Sequence, residues 1–117
     1  MEILDNFNLK NFNTFHVSAY ARYFINVTDI TSLKEALAFA AEKELPFMLI
    51  GQGSNLLFRE NYPGVILEMN IQGKKIIDED GDNVLVKARC GENWHAFVQW
   101  CLGNTCYGLE NLSLIPG

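Results

Sequence analysis

A short apolar run that ends in a glycine-rich turn constrains this chain more than any other stretch. Residues 47–50 are apolar throughout, and Gly51 and Gly53 follow directly. A bounded run of this kind is typical of a strand buried on both faces, and we predict one here. Upstream, Ser32 and Glu35 form a capping-box pattern that opens an apolar helical stripe. The expected unit is a capped helix that leads into a buried strand.

The rest of the pattern predicts an α+β fold. Further strands are expected at 22–28, 65–69, 74–78 and 84–90. Pro63 and Gly64 are interpreted as the turn before the second of these strands, and the last two form a hairpin in which one face stays in water. A second helix begins near Glu92. One short βαβ unit therefore comes first, and a hairpin and a helix follow it.

Composition excludes several classes of partner. The chain has 117 residues, of which 49% are hydrophobic and 20% charged, as in an ordinary single domain. Its formal net charge of -5 disfavours nucleic acid and anionic membranes as partners. No apolar run has membrane-spanning length, and the first residues lack the features of a signal peptide, so a cytoplasmic protein is expected.

The reactive side chains do not form a recognisable constellation. Cys90, Cys101 and Cys106 lack the spacing of a metal site or a disulfide framework, and the first two fall in stretches expected to face the core. His95 has no nearby histidine in sequence, so a structural role is the better interpretation. Glu92 and Glu110 are single carboxylates, for which helix capping and loop hydrogen bonding are the expected roles. We therefore predict no metal site.

The glycine-rich turn is the candidate for binding chemistry. Backbone N–H groups of residues 51–56 can form a concave anion site, and Ser54 and Asn55 add uncharged donors. Leu56 occupies the place of the third glycine of a dinucleotide-binding turn, and no lysine makes the stretch a P-loop. A diphosphate esterified at both ends suits this neutral turn. On these residues alone, an ordinary tight connection is the commoner explanation.

Four motifs in order make the chain resemble a known family. They are Asn13-Thr14-Phe15, Gly51 to Phe58, Gly91-Glu92-Asn93-Trp94-His95, and Gly108 to Gly117. Their order and spacing over residues 11–117 resemble the UDP-N-acetylenolpyruvoylglucosamine reductases of peptidoglycan synthesis. The Gly-Leu-Glu-Asn form of the last motif is similar to the subgroup that closes its substrate site with a tyrosine-bearing loop.

The resemblance implies a two-lobed FAD-binding domain of the vanillyl-alcohol-oxidase (PCMH) type. Residues 1–15 would be an N-terminal extension, residues 16–69 the first lobe, and residues 70–117 the start of a truncated second lobe. The same resemblance implies the residues that contact FAD. They are Ile50, Gly51, Gln52, Gly53, Ser54, Asn55, Leu56, Ile115, Pro116 and Gly117. Gly51 to Leu56 would wrap the diphosphate, and the last three residues would begin a flavin-contacting loop.

The implied reaction passes a hydride from NADPH through the flavin to an enolpyruvyl UDP-sugar. The family's catalytic residues and substrate-binding part would lie beyond Gly117, so this chain alone is expected to bind FAD weakly and not to turn over. The full-length enzyme is expected to be monomeric. Two alternatives are an FAD-binding lobe of another oxidoreductase of the same fold and a non-catalytic binding module.

Overall fold

A computed structural model describes residues 1–12, 18–51 and 58–112. Its strands are β1 (Ile3–Asn8), β2 (Tyr20–Val27), β3 (Phe47–Ile50), β4 (Tyr62–Met69), β5 (Lys74–Asp80) and β6 (Asn83–Ala88). Its helices are α1 (Ile30–Glu42) and α2 (Trp94–Gly103), with 3-10 turns at Lys10–Phe12 and Glu110–Leu112. The mixed α and β content is the one expected from the sequence.

Four strands form one sheet in the order β1-β2-β4-β3. β2, β4 and β3 run parallel, and β1 is antiparallel to β2. β2, α1 and β3 make the expected βαβ unit, with β4 inserted between its two strands. β1 was not predicted from the sequence. Leu9 directly follows it, has no exposed surface and lies in the core. The lobe boundaries at residues 15 and 69 stay predictions.

The sheet has a hydrophobic core on each face. On the α1 side, the buried residues are Ile25, Val27, Val65, Leu67 and Ile71 of the sheet region, with Ala36 and Ala40 of the helix. On the other side, they are Leu9, Ala19, Ala21, Phe24, Ile50, Phe58 and Ile66. Burying apolar surface on both faces fixes strand register, because a slip of one residue would exchange the two faces.

The prediction that β3 is buried on both faces was wrong. Ile50 is 4% exposed, but Phe47 and Leu49 on the opposite face are each 51% exposed. β3 is the edge strand, and α1 packs against β2 and β4. The helix therefore leaves the outer part of its own side of the sheet uncovered.

The interpretation of Pro63 and Gly64 as a turn was also wrong, because β4 already begins at Tyr62. The pairing of β2 with β4 shifts at this point. A Cβ at Gly64 would lie 2.1 Å from the carbonyl oxygen of Pro46, and the neighbouring Val65 N–H donates to that oxygen at 2.9 Å. Gly64 is needed where β4 passes the chain that enters β3.

The helix cap lies one turn earlier than the sequence indicated. Asp29 is the N-cap of α1, and its Oδ1 accepts the Ser32 N–H at 2.6 Å. Ser32 Oγ accepts the Asp29 N–H at 3.2 Å, which completes the reciprocal capping pattern. The Ser32 backbone N–H, followed by its hydroxyl, lowers the pKa of Asp29. Ser32 thus occupies the third helical position that the prediction gave to Glu35.

The predicted hairpin is confirmed as β5 and β6, which pair antiparallel with Gly81 and Asp82 between them. Gly81 has a φ of 59°, in the region that favours glycine. A buried face is absent, however, since neither strand contains a buried residue. Cys90, expected to face the core, is exposed, whereas Cys101 on α2 is buried. The described chain places no second layer over the hairpin.

Candidate functional site

Three parallel strands have their carboxyl ends together at one end of the sheet, which we call the carboxyl edge. β2 ends at Val27, β3 at Ile50 and β4 at Met69. Ligands of open α/β sheets bind outside the carboxyl ends of the strands. The glycine-rich sequence follows β3 at this edge, which is therefore the candidate binding site.

The structure places the first two predicted cofactor residues at this edge. Ile50 is buried in the core with Phe58, and Gly51 follows it in an exposed position. Parallel pairing of Ile50 with Glu68 holds the end of β3 against β4. The main chain thus leaves the core at Gly51 from a fixed position. The other residues predicted for this turn lie outside the described part: Gln52, Gly53, Ser54, Asn55 and Leu56.

The Gly91 motif is anchored at the same edge through the residues that follow β4. Asn70 N–H donates to Val27 O at 2.7 Å, and Gly91 N–H donates to Ile71 O at 2.8 Å. A Cβ at Gly91 would lie 2.5 Å from both the Asn70 carbonyl carbon and the Ile71 nitrogen. Glycine is required here by backbone contact. The register of β3 with β4 ends with Ile50 beside Glu68, two residues before Asn70, so the start of the glycine-rich turn and the contact of Gly91 lie at the same end of the sheet.

The Gly91 motif in turn holds the start of the last motif. Asn93 caps α2 by accepting the Ala96 N–H at 2.9 Å. Trp94 Nε1 donates to Leu112 O at 2.6 Å. Leu112 directly precedes the segment 113–117, which contains Ile115, Pro116 and Gly117 and lies outside the described residues. A path of contacts therefore runs from the end of β4 through α2 to the residue before this segment.

Glu110 shapes the turn that leads to Leu112. Its carboxylate accepts the Gly108 N–H at 2.8 Å, and Gly108 has a φ of 130°. That hydrogen bond, together with the N–H groups of Glu110 and Leu109, lowers the pKa of the Glu110 carboxyl. The expected role in loop hydrogen bonding is confirmed.

One acidic residue near the edge was not singled out from the sequence. Glu68 lies on β4 opposite Ile50, and burial raises the pKa of its carboxyl. Its signal in the sequence is a single acidic residue within the apolar run of β4.

The remaining candidates do not assemble into a reactive group. Within residues 1–12, 18–51 and 58–112, no cluster of three His, Cys, Asp or Glu side chains could hold a metal ion. His95 is half-buried on α2, and Glu92 forms an ion pair with Lys74 at 3.1 Å. In the same described residues, no helix is long and apolar enough to cross a membrane.

Comparison with known proteins identifies the relatives of the chain. Residues 21–117 match the family described as FAD binding domain. The UDP-N-acetylenolpyruvoylglucosamine reductase of Pseudomonas putida is 46% identical over 110 residues, which are 94% of this chain and 32% of that protein. The reductases of that name from Pseudomonas aeruginosa and Flavobacterium johnsoniae are each 44% identical over 117 residues, all of this chain and 34% of theirs.

These matches confirm the resemblance first indicated by the four motifs. The chain spans about a third of the length of the curated relatives it matches. The similarity therefore covers the part of those proteins that corresponds to the sheet, the hairpin and α2.

Proposed function

This chain belongs to the family of FAD binding domains, and we propose that it is the N-terminal, cofactor-binding portion of a flavoenzyme that makes UDP-N-acetylmuramate. The observation that carries the proposal is 44% identity over the whole chain to proteins named UDP-N-acetylenolpyruvoylglucosamine reductase. The substrate would be the enolpyruvyl ether of UDP-N-acetylglucosamine, and the pathway peptidoglycan synthesis in the cytoplasm. The full-length enzyme would be a monomer within a two-lobed PCMH-type fold.

The donor chemistry at the carboxyl edge suits FAD. The turn that begins at Gly51 contains neutral N–H, hydroxyl and amide donors and no charged residue up to Phe58. A diphosphate with a sugar at one end and a flavin chain at the other carries less charge than a free triphosphate and needs no bound metal ion, so neutral donors suit it. Gly51 to Leu56 would hold the diphosphate through backbone N–H groups, with Ser54 and Asn55 donating from their side chains.

A second contact would come from Ile115, Pro116 and Gly117. Trp94 and Glu110 would position this segment, because their hydrogen bonds fix the chain up to Leu112. When bound, FAD supplies the relay of a hydride from NADPH to the enolpyruvyl double bond. This chain would orient the cofactor, and the group that donates a proton to the substrate after hydride transfer would lie in the two thirds of the relatives that it does not span.

The test is FAD binding by a protein extended to the length of the relatives, followed by NADPH oxidation with the enolpyruvyl UDP-sugar. Flavin fluorescence should titrate to one FAD per chain, and NADPH should be consumed only when the sugar is present. A protein that stays colourless after FAD addition would overturn the proposal. FAD binding without sugar-dependent NADPH oxidation would favour another oxidoreductase of this fold.

The turn itself is tested by replacing both of its polar side chains. Ser54→Ala combined with Asn55→Ala removes two donors, each worth about 1 kcal/mol, so FAD affinity should fall about thirtyfold. Gln99→Ala, an exposed amide on α2, is the matched control and should leave the affinity unchanged. Equal FAD affinities in the two variants would mean that the diphosphate does not bind at this turn.

A further inference from the structure

Two cysteines lie at the two ends of the turn that closes α2. Cys101 belongs to the last turn of the helix, and Cys106 is the second residue after its C-cap, Asn104. Cys101 is 1% exposed, and Cys106 is half-buried. We propose that these two thiols are a modification site, at which oxidation forms a Cys101–Cys106 disulfide across the end of the helix.

Backbone hydrogen bonds bring the two residues together. Cys106 N–H donates to Cys101 O at 2.7 Å, and Thr105 N–H donates to Leu102 O at 3.0 Å. Thr105 has a φ of 58°, in the left-handed region. This combination is a Schellman motif, in which the side chains at the positions of Cys101 and Cys106 commonly contact each other. Its hydrogen bonds lie within residues 101–106, so they do not depend on what surrounds the helix.

The separation of the two cysteines suits a disulfide. Standard bond lengths on either side of the 2.7 Å hydrogen bond keep the Cα atoms of Cys101 and Cys106 within about 6.5 Å of each other. Disulfides join Cα atoms that are about 4.4–6.8 Å apart. Burial raises the pKa of the Cys101 thiol, and the nearby Cys106 raises it further, so the side chains are close as well. The left-handed turn at Thr105, which sequence spacing does not reveal, makes the pair close.

Hydrogen peroxide is an oxidant that balances the reaction. The Cys106 sulfur is the more accessible of the two, so it attacks the peroxide, becomes a sulfenic acid and releases one water. The Cys101 thiol then displaces a second water from that sulfur and forms the S–S bond. One peroxide is reduced to two waters, and the two thiols together lose two electrons and two protons.

The surroundings of Cys101 favour a lasting bond. Because Cys101 is buried, a reducing thiol attacks the Cys106 sulfur, and this attack expels the Cys101 thiolate. A thiol with a raised pKa leaves slowly. The disulfide would therefore persist and hold the end of α2 to the chain that enters the last motif at Gly108.

Peptide mapping of the protein extended to the length of its relatives tests the proposal. The folded protein is treated with hydrogen peroxide, its remaining thiols are alkylated, and trypsin with a glutamate-specific protease digests it. Cys90 then lies in peptide 90–92, and Cys101 and Cys106 share peptide 93–110. We expect the second peptide to be lighter by two hydrogen atoms and free of alkyl groups. It should gain two alkyl groups when dithiothreitol precedes alkylation.

Cys90→Ser, at an exposed position, is the matched control and should form the disulfide to the same extent as the wild type. Cys106→Ser should abolish the disulfide and leave the buried Cys101 as a thiol. Circular dichroism of each variant checks that the fold is retained. Two thiols that stay free in peptide 93–110, a bond from either of them to Cys90, or a sulfinic acid at Cys106 would each overturn the proposal.

Discussion

The four-stranded sheet and the β5–β6 hairpin use the same residue types in opposite environments. Ile66 and Leu67 of β4 are fully buried, whereas Ile77 and Leu85 of the hairpin are 51% and 60% exposed. The sheet has α1 on one face and a cluster that includes Leu9 and Phe58 on the other. A strand's apolar side chains are thus buried only where other segments of the chain pack over them. Apolar composition alone does not bury them.

Truncating a leucine in each region should give the largest contrast. Leu67→Ala removes a side chain with contacts on all sides and should cost about 2–5 kcal/mol in the free energy of unfolding. Leu85→Ala should change it by no more than about 0.5 kcal/mol, because the side chain is already in water. Urea unfolding followed by circular dichroism measures both. Similar losses would show that a layer covers the hairpin in solution.

Gly91 tests the contact between the chain that follows the hairpin and the chain that follows β4. Gly91→Ala forces a Cβ against the backbone of Asn70 and Ile71 and should cost about 1–3 kcal/mol. Gly103→Ala, at the end of α2 with nothing within 4 Å of the added atom, should be neutral or slightly stabilising. The same urea titration compares the two variants. A neutral Gly91→Ala would mean that Gly91 does not contact the chain after β4 as described.

Local pattern was sufficient to predict the elements that depend on nearby residues. Helix periodicity located α1 and α2, and the polar tip around Gly81 located the hairpin. The cap at Asp29 was missed because two overlapping patterns share Ser32, and only the backbone geometry shows which one is used. β1 was missed because Ile3 to Asn8 lack clear alternation and become a strand by pairing with β2, residues 20–27.

The candidate site was likewise predictable only where it depends on nearby residues. The glycine-rich turn is visible in the sequence because Gly51 and Gly53 follow an apolar run. The position of the Gly91 motif depends on contacts of Gly91 with Asn70 and Ile71, which are about twenty residues earlier in sequence. Glu68 gained significance only when the register placed it opposite Ile50. Long-range register of this kind cannot be deduced from one sequence.

The link between α2 and the last motif is expected to have a smaller effect. Trp94→Phe keeps an aromatic ring near Phe97, 5.9 Å away, but loses the hydrogen bond to Leu112 O. FAD affinity of the extended protein should fall about fivefold, which corresponds to about 1 kcal/mol. Trp100→Phe, on the same helix, is the matched control and should bind FAD normally. Equal losses would indicate general damage to α2.

The smallest expected effects have opposite signs for two carboxyls, Glu110 in the turn after α2 and Glu68 in the sheet. Hydrogen bonds from Gly108 and its neighbours lower the pKa of Glu110, so its contribution to stability is present above the unfolded value of about 4.3 and is lost as pH falls through the folded pKa. Burial raises the pKa of Glu68, so ionising this carboxyl destabilises the fold as pH rises from about 4.3 through its folded pKa.

Glu110→Gln should therefore lower the midpoint of thermal unfolding at neutral pH, and Glu68→Gln should raise it. Both differences from the wild type should shrink toward about pH 3, where the unfolded carboxyls are largely protonated and the charge of Glu68 is gone. Calorimetry of the two variants and the wild type at several pH values measures this. Shifts of the same sign would mean that the two carboxyls have similar surroundings. That result would contradict the structure, in which Glu68 is half-buried on a strand and Glu110 accepts hydrogen bonds in a turn.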